Sequence, residues 1–77
     1  MIFTQNGNEF TFNKPFEGPD DINGFVNFLR NEGIIGEIWL QNNKSGAILT
    51  IINEPEVVLA LKILEKVNDI IESKKIA

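Results

Sequence analysis

Residues 34–52 read IIGEIWLQNNKSGAILTII, two runs rich in β-branched and aromatic residues around the polar insert Asn42-Asn43-Lys44-Ser45-Gly46. Such runs flanking a cluster of turn formers predict an antiparallel hairpin, with strands over 34–41 and 47–52. Side chains alternate between faces along a strand, so the register decides what each face carries. With the loop taken as 42–45, Leu40 meets Ala47, Ile38 meets Leu49 and Gly36 meets Ile51 on one face. The other face then holds Trp39 with Ile48, Glu37 with Thr50, and Ile35 with Ile52.

The start of the chain, MIFTQNGNEFTF, alternates apolar and polar residues around Asn6-Gly7, a dipeptide suited to a tight hairpin turn. A two-residue turn there pairs Phe3 with Phe10 and Met1 with Phe12, and leaves Ile2, Thr4, Glu9 and Thr11 on the opposite side. The aromatic side is the one that needs burial.

Two helices complete the pattern. Pro19, Asp20 and Asp21 suit a first helical turn, where proline is tolerated and the dipole favours carboxylates. Ile22, Phe25, Val26 and Leu29 then repeat at helical spacing with Phe28 beside them, to about Glu32, and Gly33 follows as a stop. Gly24 inside this helix costs about 1 kcal/mol relative to alanine, which leads us to expect a close packing contact there. Asn53-Glu54-Pro55-Glu56 has the form of a capping box, with Glu56 reaching back to Asn53. From Val57 to about Ser73 a long helix follows, apolar at Leu59, Ala60, Leu61, Ile63, Leu64, Val67, Ile70 and Ile71. That stripe is wider than one buried face requires, so something besides the sheet is expected on its flank.

The order strand, strand, helix, strand, strand, helix predicts an α+β fold. Its architecture is a two-layer sandwich in ββαββα order, with a four-stranded antiparallel sheet and two helices on one face, in one domain over residues 1–77. A chain this short supports one core only.

Composition narrows the chemistry. Cysteine, histidine and tyrosine are absent, which removes disulfides, thiolate ligands and the commonest nucleophiles and proton shuttles. Ser45 beside Lys44 lies in the expected turn and Ser73 near a helix end, neither with a base in a sheltered site. Glu17, Asp20, Asp21 and Asn23 form one carboxylate-rich stretch that lacks the spacing of a calcium loop and is explained by helix-start chemistry. No catalytic residue, metal site or cofactor is therefore expected, and the chain is read as a non-enzyme. Seven Lys and Arg against eleven Asp and Glu give a net charge of −4, which disfavours direct nucleic-acid binding. The basic residues are scattered apart from Lys74 and Lys75. A leader peptide and a membrane span are missing from the sequence pattern, so a cytoplasmic location is expected.

What remains is a binding surface. With both helices on one side, the other sheet face collects Ile2, Thr4, Thr11, Ile35, Trp39, Ile48, Thr50 and Ile52, with Glu37 at its border. An apolar patch of that size around a tryptophan marks an interface. The expected contact residues are Trp39, Ile35, Ile48, Ile52, Thr50 and Glu37, with a secondary acidic surface on the last helix at Glu65, Asp69 and Glu72, where Glu54 and Glu56 add to the acidic side. The expected function is stoichiometric binding of a protein partner, with homodimerisation as the simplest way for a small chain to gain buried area. By size and charge, such a module is comparable with an acidic inhibitor or regulator of the anti-defence type, carried by phages or mobile elements. The alternative is a nucleic-acid or nucleotide binder that stacks bases on sheet aromatics.

Overall fold

The computed structural model describes residues 2–76, with side chains through Ser73. Met1, and with it the expected Met1 to Phe12 pairing, lies outside the described residues, as do the side chains of Lys74 and Lys75. The chain forms β1 (Phe3–Asn6), β2 (Glu9–Phe12), α1 (Pro19–Asn31), β3 (Ile38–Asn43), β4 (Gly46–Ile51), a 3-10 turn over Glu54–Glu56 and α2 (Val57–Ile76). The four strands make one antiparallel sheet in the order β1-β2-β4-β3, so each hairpin contributes one central and one edge strand.

The expected faces hold, but both hairpin registers differ from the expectation. In the first hairpin Phe3 pairs with Phe12, Gln5 with Phe10 and Asn6 with Glu9, so the turn is Gly7-Asn8. Gly7 has φ +62° and Asn8 has no positive φ, the pattern of a turn with glycine at its first central position. Tertiary bonding accounts for the shift. The Asn8 carbonyl accepts the Ile51 amide at 3.0 Å, and its side chain donates to the Ile51 carbonyl at 3.1 Å, which prolongs the β2 to β4 ladder. In the second hairpin the turn is Lys44-Ser45 alone, and Leu40 pairs with Leu49, Ile38 with Ile51, and Trp39 with Thr50. Asn42 has the composition of a turn residue, yet it stays in the strand. Its amide group closes a reciprocal pair with Phe16, accepting the Phe16 amide at 2.8 Å and donating to the Phe16 carbonyl at 2.9 Å. Each shift moves the pairing by two positions, which preserves the in-out alternation.

One face of the sheet therefore carries the core. Phe3, Phe10, Leu49 and Ile51 cluster with Leu29 from α1, Ile34, and Ala60, Ile63 and Leu64 from α2, all buried. Phe3 stands 6.0 Å from Phe10 and 6.3 Å from Phe12 between ring centroids, tilted contacts that add to burial. The end of α1 shows why Gly33 is needed there. Ile34 donates to the Leu29 carbonyl and Gly33, at φ +109°, to the Arg30 carbonyl, and Ile34 packs with Leu29 in the core. This pair of hydrogen bonds with its apolar clasp is a left-handed helix stop that glycine adopts without strain.

Two other expectations are corrected. Ile2 does not join the outer face: its amide donates to Oδ1 of the buried Asn68 at 2.8 Å, and the residue packs on the helix side of the sheet. Gly24 is exposed, and a side chain there would meet nothing within 4 Å, so no packing contact explains it.

Two stability outcomes follow from the packing. Leu64 is 1% exposed, and Leu64→Asp is expected to unfold the chain by placing an unpaired charge in the core, a change that circular dichroism and amide NMR dispersion will report. Gly24→Ala fills open space on a regular helix and is expected to stabilise by about 0.5–1 kcal/mol, measured as a higher midpoint in urea.

Candidate functional site

The face of the sheet turned away from the helices is built from two cross-strand rows. One runs Thr4, Thr11, Ile48, Gln41 and the other Asn6, Glu9, Thr50, Trp39. Beyond the second row the Ile52 amide donates to the Glu37 carbonyl at 3.1 Å, which sets Ile52 and Glu37 side by side at the end of the β3 and β4 pair. Trp39 is 57% exposed and Ile52 39% exposed, while Ile48 and Thr50 are half-buried. The Trp39 indole Nε1 donates to a Glu37 carboxylate oxygen at 2.9 Å. That bond gives a large flat ring on the outer face of β3 a preferred orientation. A preset ring loses less conformational entropy when a partner covers it.

Five of the six expected contact residues, Trp39, Ile48, Ile52, Thr50 and Glu37, thus share this part of the molecule. Their partners differ from those expected, since Trp39 neighbours Thr50, Ile48 neighbours Gln41, and Glu37 neighbours Ile52. Ile35 is the exception. It is 82% exposed but belongs to the connection before β3 rather than to the sheet, and it does not pair with Ile52. With Ile2 turned inward and Ile35 off the sheet, the apolar patch is smaller than expected and bordered by threonine, Glu9 and Gln41.

The reason β3 begins at Ile38 and not at Ile34 lies in Glu56. Its carboxylate accepts the Ile35 amide at 2.7 Å and the Gly36 amide at 2.9 Å. From the other side the Arg30 guanidinium donates to the carbonyls of Ile34 and Gly36. Backbone groups committed to these side chains are not available to a strand ladder, so residues 34–36 form a strap between α1 and β3. The expected capping box is correspondingly absent. The Asn53 side chain makes no cap bond to the helix and instead assists the Glu56 carboxylate, which serves the strap and is no part of an acidic surface. The Ile35 amide bond is the largest influence holding the Glu56 carboxyl below its ordinary value of 4.5. Partial burial opposes this, and the Gly36 amide, Asn53 and the Arg30 charge support it.

Of the secondary acidic surface, Glu65 and Asp69 are exposed on α2, and Glu72 is half-buried on the same side of that helix. Ile70 and Val58, 50% and 61% exposed, leave α2 with apolar groups outside the core. The described residues also enclose an apolar cleft of about 450 Å³ that the sequence pattern did not indicate. Phe12, Phe16 and Phe25 wall one side and Leu64, Val67 and Ile71 the other, with Lys14 and Glu72 among the polar lining groups. The three rings touch, Phe25 lying 5.2 Å from Phe16 and 5.6 Å from Phe12. They come from β2, the following loop and α1, so no periodicity joins them. The width of the apolar stripe on α2 was the available signal, and Val67 and Ile71 are the residues on its uncovered flank.

Among the described residues no three His, Cys, Asp or Glu side chains gather as metal ligands, and Asp20 and Asp21 occupy the first turn of α1. Ser45 lies exposed in the β3 to β4 turn and Ser73 exposed on α2. No helix among the described residues is long and apolar enough to cross a membrane. Comparison with protein-family models, with curated proteins and with solved structures returned no match.

The Glu56 strap carries a pH dependence of known sign. A carboxyl held below its unfolded value stabilises the fold above that value, and the stabilisation is lost as pH falls through the folded one. Glu56→Gln is therefore expected to lower the thermal midpoint at pH 7, with the gap from wild type closing as pH is taken from about 5 to 2. Paired melts across that range measure it.

Proposed function

We propose that the chain is a non-enzymatic protein-binding module that acts stoichiometrically through the sheet face centred on Trp39. The observation that carries this reading is a tryptophan 57% exposed and hydrogen-bonded to Glu37 beside it, with Ile52 and Ile48 on the same face. Tryptophan is among the residue types that dominate protein interfaces when a partner desolvates them. The border of Glu9, Glu37 and threonines favours a protein surface over a phosphate backbone, which these carboxylates repel. The class of partner fits an acidic regulator or inhibitor that occupies a basic protein surface, with Glu65 and Asp69 as further acidic groups on α2.

The apolar cleft supports a second contact in the same reading. About 450 Å³ walled by aromatic and aliphatic groups suits a large apolar side chain of a partner on the helix side of the molecule.

Trp39→Glu tests the proposal. The side chain points away from the core, so the helical circular dichroism is expected to persist while partner affinity falls by about 2 kcal/mol or more, roughly thirtyfold in Kd. The measurement is capture from the source cell by wild type, Trp39→Glu and an exposed α1 control, Asn27→Ala, followed by titration of the protein recovered. Equal capture by all three variants would exclude the Trp39 face. Amide shifts on titration that centre on Phe16 and Val67 would move the contact to the cleft.

A further inference from the structure

We infer that two copies of this chain join edge to edge through β3, antiparallel about Leu40, and so merge two four-stranded sheets into one. The inference rests on the protein-binding reading above and specifies a second copy as a partner and a strand edge as the surface.

β3 is an edge strand whose outward groups follow from the ladder. The Ile52 amide bonds the Glu37 carbonyl, and the tight turn at Lys44-Ser45 closes on Asn43 and Gly46. In an antiparallel pair bonded and non-bonded positions alternate, so Trp39 and Gln41 turn their backbone groups to β4. The N–H and C=O groups of Ile38, Leu40 and Asn42 then point away from the sheet. Among the described residues no hydrogen bond reaches the outward groups of Ile38 or Leu40.

Proteins that must keep such an edge single protect it with lysine, proline, a bulge or brevity. β3 has six residues, Ile38-Trp39-Leu40-Gln41-Asn42-Asn43, with neither a charge nor a proline. The opposite edge, β1, has four, of which only Phe3 and Gln5 face outward, and the amide just before it is bonded to Asn68. β3 is thus the edge left open.

Its own sequence fits a second copy of itself. With Leu40 opposite Leu40, Ile38 falls opposite Asn42 at both ends, and the three outward pairs exchange about six backbone hydrogen bonds. The strand is neutral but stands between Glu37 and Lys44. Antiparallel pairing brings Glu37 of each copy beside Lys44 of the other, whereas parallel pairing would set like charges together. Two chains of net charge −4 repel broadly, and a neutral edge with complementary ends is where they can meet. On the outer face each Trp39 sits opposite Gln41 and diagonal to the other Trp39, about 7–8 Å away, within reach of an aromatic ring. On the inner face Ile38 and Leu40, half-buried in the single chain, gain cover.

The test is chemical synthesis of the chain with a methyl group on the Leu40 amide nitrogen, which removes an outward donor and leaves the β3 to β4 ladder intact. Wild type is expected at twice the chain mass by light scattering. Its Ile38, Leu40 and Asn42 amides are expected to exchange slowly when concentrated and faster on dilution. The methylated chain, folded by circular dichroism, is expected to dimerise on the order of tenfold or more weakly through loss of two backbone bonds per dimer. If methylation unfolds the chain, the concentration dependence of those three amides in wild type decides. A wild type that stays monomeric at millimolar concentration overturns the inference, as does a dimer indifferent to methylation. In the second case, dissociation by Trp39→Glu would leave the protein-binding reading standing on the sheet face while edge pairing falls. A monomer whose capture of another protein depends on Trp39 separates the two in the same way.

Discussion

A sheet of four short strands with two helices can bury one of its faces, and this chain commits that face to phenylalanine. Phe3, Phe10 and Phe12 alternate onto the same side as Leu49 and Ile51, and α1 and α2 close over them. With no cysteine and few residues, packing on this one surface is the main source of stability. Everything on the opposite side follows from the same alternation. Once Leu49 and Ile51 face inward, Ile48 and Thr50 face outward, and β3 must present Trp39 to solvent. Exposure of the tryptophan is the consequence of satisfying the core.

Period-two alternation is robust to small errors of register, which is why the fold and its faces could be read from the residues while the pairs could not. A shift of the turn by one residue exchanges partners without turning a strand over. What sets the turns here is distant bonding: Asn8 to Ile51 in one hairpin, Asn42 to Phe16 in the other. Local turn chemistry at Asn6-Gly7 and Asn42-Asn43 points elsewhere, and it yields to these ties. The start of β3 is a third case. Residues 34–37 have strand composition, but two amides of that stretch bind Glu56 and two carbonyls bind Arg30, charge-assisted bonds stronger than those between neutral groups.

The candidate surface was legible to the extent that it depends on alternation. Trp39, Ile48, Thr50 and Ile52 fall where the strand period puts them. Ile2 and Ile35 do not: the Ile2 amide bonds Asn68 although its carbonyl still accepts the Asn13 amide, and Ile35 lies ahead of β3 with its amide bonded to Glu56. The cleft was least legible. Its aromatic wall is assembled from three elements, and a pattern within any one of them cannot show that Phe12, Phe16 and Phe25 meet.

The strap at residues 34–36 also determines what β3 offers at its edge. Glu56 and Arg30 end the connection at Gly36, and the next residue, Glu37, is the first to join the ladder, through the Ile52 amide. Strand phase is counted from that bond. It sends the side chains of Glu37 and Trp39 to one face, where they bond to each other, and the backbone groups of Ile38 and Leu40 to the open edge. Had the strand begun one residue earlier or later against the same partner, the tryptophan would point into the core and the free donors would change places with the bonded ones. A carboxylate in the 3-10 turn ahead of α2, outside the sheet face, thus governs both the side chain and the backbone groups available to a partner.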